Sequence, residues 1–472
     1  CSYRMNLPTT GDSETPLDPS ALSNDAHYLR AVTQMADSQV VVAESAIYSE
    51  GGIKLLDKGV RIDSRLYERL IQHRLAGEVD DQLTTSDAVN VHCIAAQVQR
   101  LSDSSLLGQQ LVQWLGDKHL RLVQVVQHMK WPQRASFKMT VMRHQLPQLF
   151  EHSILMMMVA VSLAVQEEMS QEDCAELAAA ALLHDIGMLY MPPGWENVQH
   201  KLTLSERKQL AVHSITAMLV VQSTKSYSRR AEDAVLEHHE RLDGSGYPGH
   251  TRGDAISLWG RILMLAEVVS AFYGKFSDMP AQRLSLVLRM NHSRFDHRLT
   301  QHVHALLSQE QSADSAQQMA PAHSTAQVRQ VVAMLAAVMQ HWAACKRKFP
   351  EKWQTLASGR AAVYVDLRMQ ALEKSLAESG SHPRQQADWL KMFEEDPSSM
   401  AELVLINKEA LWQVESSVET CMRRWPQLLQ PSDALAEALN DWLVNCRSVF
   451  GKEGASAPAA KVAETTENLS EN

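Results

Sequence analysis

Chain breakers are scarce in this sequence. Glycine (19) and proline (16) make up about 7% of the 472 residues, against roughly 12% in average usage. That leaves too few tight turns for a chain of many short strands, and it excludes collagen-like and low-complexity classes. Cysteine is sparse too. The six cysteines, at 1, 93, 174, 345, 421 and 446, form no CxxC pair. This argues against a disulfide scaffold or zinc ribbon and for reduced thiols in a cytoplasmic protein. Long apolar runs are missing: Ile154–Val165 is interrupted at Ser162 and falls short of the roughly 18–20 residues that span a bilayer, so no membrane span is expected. No secretory leader is read at the N-terminus, which stays polar to about Asn24. Nor is positive charge in excess. Lys and Arg number 45 against 55 Asp and Glu, a net charge of −10, which disfavours nucleic-acid binding through the phosphate backbone.

What is there reads as mainly α. Residues 1–25, rich in Pro, Ser, Thr and Asp, are expected to be disordered. Residues 26–130 read as a small mixed α/β sensory or adaptor domain. Gln39-Val-Val-Val-Ala43 and Ile53–Leu56 are β-prone around a turn at Glu50-Gly51-Gly52. Asp63 or Ser64 can cap a helix running to about Leu75. Residues 87–130 read as amphipathic helix, with Leu106, Leu107, Leu111, Trp114 and Leu115 as core. Residues 131–310 read as a helical bundle. Pro147 can open a helix carrying His152, Gln171–Leu183 a second, and Thr203 with Glu206 can cap a third carrying His213. Ala231–His239 and Ser257–Tyr273 are two more. A polar linker (311–327), a helical region (328–450) with six of the ten tryptophans, and a disordered tail (451–472) complete the chain.

The chemistry is concentrated in a few segments: His152, Leu182-Leu183-His184-Asp185-Ile186-Gly187, the isolated His213, and His238-His239-Glu240-Arg241-Leu242-Asp243-Gly244-Ser245-Gly246-Tyr247-Pro248. Imidazole and carboxylate are the donors that hard and borderline transition metals take where thiolate is absent. Five histidines and an aspartate on separate helices can converge inside a bundle. An aspartate has two oxygens and can bridge two metals, and two metals about 3.5–4 Å apart can clamp an in-line displacement at phosphorus.

In these segments, in this order, the sequence resembles the HD-GYP subgroup of HD-domain metal-dependent phosphohydrolases, over about Leu146 to Leu306. The resemblance implies a helical bundle around a binuclear site of iron or manganese. The implied activity is hydrolysis of the bacterial messenger cyclic di-GMP to linear pGpG and GMP. It assigns one metal to His152, His184 and Asp185 and a second to Asp185, His213, His238 and His239, with His184 and Asp185 as the catalytic pair. Glu267 stands where the family has an aspartate ligand. Asp243, Gly244, Gly246, Tyr247 and Pro248 of the signature, with Arg261, are implied on the substrate side. Implied partners are cyclic di-GMP, signalling proteins such as diguanylate cyclases, and a second copy of the chain as a homodimer.

Three positions depart from the family pattern. Gln148 replaces a carboxylate that would serve a third metal, which favours two ions. Met188 stands where a lysine usually follows His-Asp-x-Gly. Lys275–Pro280 replaces an arginine-containing segment. The departures leave two other readings open: a catalytically weak module acting as nucleotide sensor or protein-interaction platform, and a phosphohydrolase for another nucleotide.

Overall fold

A computed structural model of the chain describes residues 22, 24–192, 204–276, 280–308, 325–378, 382–383 and 397–450. The segment before Leu22, Thr203, residues 277–279, most of the expected linker, Trp389 and the tail from 451 lie outside the described residues. Seventeen α-helices and four short strands are found among those described. They divide into two compact units: residues up to Leu284 with His292–Gln311, and Ser285–Asn291 with the chain from Ser312.

The first unit begins with α1 (Ala26–Ser38), β1 (Val41–Ala43), β2 (Ile47–Tyr48), β3 (Lys54–Leu56), α2 (Tyr67–Gln72) and β4 (Leu83–Thr85). The two β-prone segments of the sequence become β1 and β3, but they do not pair with each other. β1 pairs antiparallel with β4, Val41 opposite Thr85, and β2 pairs with β3. Asp63 accepts from the Arg65 amide at 3.1 Å. The helix that follows stops at Gln72, short of Leu75, because Leu75 leaves to bridge Ser49. The helical stretch after residue 87 is three helices: α3 (Val91–Ser104), α4 (Leu106–Leu115) and α5 (Leu120–His128). Ser105 breaks the first pair by capping α4, its hydroxyl accepting from the Gly108 amide at 2.9 Å. Leu107, Leu111 and Leu115 are buried as expected, while Leu106, the first residue past that cap, is 46% exposed.

The rest of this unit is a bundle: α6 (Gln133–Gln145), α7 (Pro147–Gln166), α8 (Gln171–Leu183), a 3-10 turn at Ile186–Tyr190, α9 (Leu204–Ser223), α10 (Arg229–Glu237), α11 (Leu258–Lys275), α12 (Pro280–Met290, whose last six residues belong to the second unit) and α13 (His297–Ser308). α7 starts on Pro147, which loses nothing by lacking an amide there. It is apolar nearly all round, as a central helix must be, and packs against α6, α8 and α11. By length and composition α7 could cross a bilayer, but 72% of its apolar window is buried within the fold. α8 opens on Ser170, whose hydroxyl accepts from the Asp173 amide at 3.1 Å, and runs through small residues, Ala178–Ala181, that let α7 approach closely.

Residues on both sides of position 130 share this one unit. Lys138 of α6 forms a fully buried ion pair with Asp80 at 2.6 Å. The Lys138 ammonium also donates to Tyr190 Oη at 2.6 Å and lies 3.9 Å from the centre of the Tyr28 ring. Tyr28 donates to the same Asp80 carboxylate and stacks on Tyr190.

The second unit holds α14 (Thr325–Arg347), α15 (Gly359–Glu378), α16 (Pro397–Arg424) and α17 (Ala434–Phe450) around one apolar core. Its tryptophans are not all isolated anchors. Trp342 and Trp442 are buried edge to face, 5.0 Å apart, whereas Trp412 is 58% exposed. The cysteines at 93, 174, 345, 421 and 446 are free thiols, and burial pushes those of Cys345, Cys421 and Cys446 up to about 12.

Candidate metal centre

Two helix ends and three helix faces converge at the centre of the bundle. α7 supplies His152. α8 ends on His184, and Asp185 is the residue at which the chain leaves the helix. α9 supplies His213, α11 supplies Glu267, and His238 and His239 stand just past the end of α10. Glu237, the last residue of α10, fixes where α11 begins. Its carboxylate accepts from the Ser257 hydroxyl at 2.6 Å and the Ser257 amide at 3.0 Å, and the Ser257 hydroxyl in turn caps the Gly260 amide. Gly187 allows α9 to close on the 3-10 turn, because a Cβ there would collide with the backbone carbonyl of His213.

The geometry brings the expected ligands into two overlapping sets. His152, His184 and Asp185 are one; Asp185, His213, His238 and His239 are the other, and in each set the ligand atoms lie within 4.8 Å of one another. Asp185 belongs to both. Its Oδ2 is 3.2 Å from His184 Nε2, and its Oδ1 is 3.1 Å from His213 Nε2 and 3.6 Å from His238 Nε2. Glu267 Oε2 lies 2.8 Å from His152 Nε2 and 3.5 Å from His184 Nε2, which puts it with the first set.

The outer ring nitrogens are already committed. His184 Nδ1–H donates to the Ala181 carbonyl at 2.7 Å, His238 Nδ1–H to Val235 at 2.6 Å, and His213 Nδ1–H to Leu210. That turns each Nε2 inward, the orientation a metal ligand needs. Two buried atoms at the heart of the cluster, His184 Nε2 and Asp185 Oδ1, have other ligand atoms 3.1–3.2 Å away but make no aligned hydrogen bond to them. Orphaned polar atoms this deep are costly, and a cation between them would remove the cost. Nitrogen and carboxylate donors without thiolate suit a divalent metal such as iron or manganese, so the residues fit the group.

Charge is distributed unevenly over the imidazoles. Burial, with the neighbouring His238 and His213, holds His239 well below the ordinary histidine range, and burial also lowers His238. These rings are neutral and offer lone pairs. Burial would likewise lower His184, but the Asp185 and Glu267 carboxylates outweigh it and hold the ring at about 10. Asp185 is in turn held well below the carboxylate range, burial notwithstanding, by His184, His213 and His238.

The signature loop is placed against this cluster. Tyr247 lies on His239 with ring centres 4.7 Å apart, and its amide donates to the His239 carbonyl at 3.1 Å. Pro248 follows Tyr247 through a cis bond. Asp243 accepts from the Ser245 amide at 2.8 Å and lies 3.4 Å from Arg294. Gly244 holds the left-handed region, φ +76°, against the Arg252 side chain, and Gly246 packs directly on the backbone of Glu240 and Arg241. Arg261 is tied to Asp296 at 2.8 Å. Met188 is 4% exposed, and Gln148 is exposed. Sequence reasoning missed the part played by Gly187 and Glu237; the helix boundaries on either side of each were the only signal.

Residues 137–299 match the family model described as HD domain. The chain is 31% identical over 134 residues to a cyclic di-GMP phosphodiesterase of Pseudomonas aeruginosa, covering 28% of this chain and 32% of that protein. It is 36% identical over 122 residues to a 3′3′-cGAMP-specific phosphodiesterase of Vibrio cholerae, covering 26% and 28%. It is 36% identical over 114 residues to a cyclic di-GMP phosphodiesterase response regulator of Xanthomonas campestris, covering 24% and 30%. The chain thus spans about a third or less of the length of these curated relatives. Helical bundle, histidine–aspartate cluster and family match together define an HD domain. These matches agree with the HD-GYP resemblance read from the sequence.

Proposed function

We propose that the chain is a metal-dependent phosphodiesterase that hydrolyses cyclic di-GMP to pGpG and GMP. The observation that carries this reading is Asp185, one oxygen of which faces His184 while the other faces His213 and His238. A single carboxylate shared between two nitrogen-rich sets is what a two-metal phosphodiester site requires. The names of the matched relatives support the substrate class.

One ion would be held by His152, His184, Asp185 and Glu267, the other by Asp185, His213, His238 and His239, with iron or manganese as the metal. When bound, such a pair polarises the phosphoryl oxygens and makes water a nucleophile at neutral pH. The chain's own residues do the rest. The Nδ1–H donors to Ala181, Leu210 and Val235 hold the rings in one orientation. Tyr247 covers His239 and offers a stacking face at the signature loop.

A second reading, a nucleotide sensor of weak activity, is favoured by one observation: Met188, buried where the resembled family carries a lysine, supplies no charge to a phosphate. Manganese- or iron-loaded protein incubated with cyclic di-GMP or 3′3′-cGAMP, with products separated by chromatography, decides between them. Appearance of pGpG supports the hydrolase. Nucleotide binding without turnover supports the sensor. Turnover of 3′3′-cGAMP alone moves the substrate, and neither binding nor turnover by metal-loaded protein overturns both.

A further inference from the structure

A phosphodiester site needs positive charge for the non-bridging oxygens beyond what its metals supply. Three positions that could supply it do not. Position 188 is a buried methionine, Arg261 is paired with Asp296, and Arg294 lies against Asp243. Resting on the phosphodiesterase reading, we propose that Arg241 binds the phosphodiester of the substrate, its guanidinium fork taking the non-bridging oxygens.

The placement supports this. Arg241 is two residues past His239, on a loop with little freedom. The Gly244 amide donates to the Arg241 carbonyl at 2.7 Å, the Leu242 amide to the Arg294 carbonyl at 3.1 Å, and the Tyr247 amide to the His239 carbonyl at 3.1 Å. The Glu240 carboxylate ties the far side, accepting from the Gly249 and Thr251 amides at 2.6 and 3.0 Å. Gly246 packs on the Arg241 amide so closely that no side chain fits there. The loop therefore sets where the arginine starts relative to His238 and His239.

Its head group is not spent. A guanidinium has five N–H donors. Among the described residues, Arg241 uses one, Nη1 to the Glu240 carbonyl at 2.7 Å, and has no carboxylate within the 4 Å of an ion pair. The guanidinium lies 5.6 Å from the centre of the Phe295 ring, which flanks it without neutralising it. A partly buried arginine with no carboxylate in ion-pair contact, attracted only from farther off by Glu267 and Asp243 and set beside a cluster of metal-binding groups, is matched to a phosphate, whose geometry a guanidinium meets with two parallel bonds.

The test compares wild type, Arg241→Gln and Arg241→Lys, all loaded with manganese. It measures metal content, the thermal midpoint, binding of inorganic phosphate by calorimetry, and cyclic di-GMP kinetics. Arg241→Gln is expected to keep the wild-type metal content, to bind phosphate about tenfold more weakly, and to lose about a hundredfold in kcat/KM. Arg241→Lys is expected to recover part of the phosphate affinity, because it keeps the charge and loses the fork. Phosphate binding in Arg241→Gln equal to wild type overturns the proposal. Loss of phosphate binding in both variants in step with a lowered midpoint or metal content also overturns it, since that marks a structural residue. If wild type binds phosphate but turns over no nucleotide, the phosphodiesterase reading fails; Arg241 is then judged on phosphate binding alone, by the same two outcomes.

Discussion

Gly187 packs against the backbone carbonyl of His213, at a distance that leaves no room for a Cβ. This contact brings α9 onto the turn that follows Asp185, and so brings His213 Nε2 to within 3.1 Å of the Asp185 carboxylate. Gly187→Ala is therefore expected to push α9 outward. It should weaken metal binding by about 10–100-fold, as loss of outer support does elsewhere, and cost about 1–3 kcal/mol of stability through overpacking. Metal titration and urea unfolding of the variant check both.

Glu267 and Asp185 are expected to differ as ligands. Glu267 touches only the His152–His184 side, whereas Asp185 faces both. Glu267→Gln should weaken the ion on that side and leave the other in place, so that elemental analysis finds about half the wild-type metal. Equal loss of both ions would show that Glu267 is shared.

The Lys138–Asp80 pair links the N-terminal elements to α6. Both side chains are buried, so removing one partner strands a charge. Lys138→Met is expected to cost about 3–5 kcal/mol, and Lys138→Met with Asp80→Asn less than the sum of the two single changes. Urea midpoints of the three variants check this.

The same cluster gives an alkaline limit. Burial works against the Lys138 ammonium, but Asp80 and Tyr190 outweigh it and hold it above the ordinary lysine range, and burial also raises Tyr28 and Tyr190. A group whose pKa is raised on folding gives stability that is full below its unfolded value and lost above it. Unfolding free energy should thus fall once pH rises past about 10, and less steeply in Lys138→Met. A profile flat to pH 11 would contradict the buried pair.

Local signals carried most of what the sequence revealed. α8 runs from Gln171 to Leu183, as its serine cap and alanine-rich stretch indicate. The histidines that converge in the bundle were legible because their spacing and neighbours are distinctive even without the fold. Pairings that depend on distant chain segments were not legible. β1 meets β4 more than 40 residues on, Lys138 meets Asp80 from another element, and Trp342 meets Trp442. Nothing near Arg261 in sequence announced that Asp296 would take its charge. Leu106 has the spacing of a core residue but sits in the first turn of its helix and faces solvent.

The most direct measurement is elemental analysis of anaerobically purified wild type and Asp185→Asn, coupled to cyclic di-GMP hydrolysis. With Asp185 bridging, wild type should hold about two divalent ions per chain and release pGpG, and Asp185→Asn, similar in shape but without the charge, should lose both ions and turnover together. Asp185→Asn with full metal content and wild-type turnover would contradict the assignment of Asp185 as the residue that joins the two halves of the site.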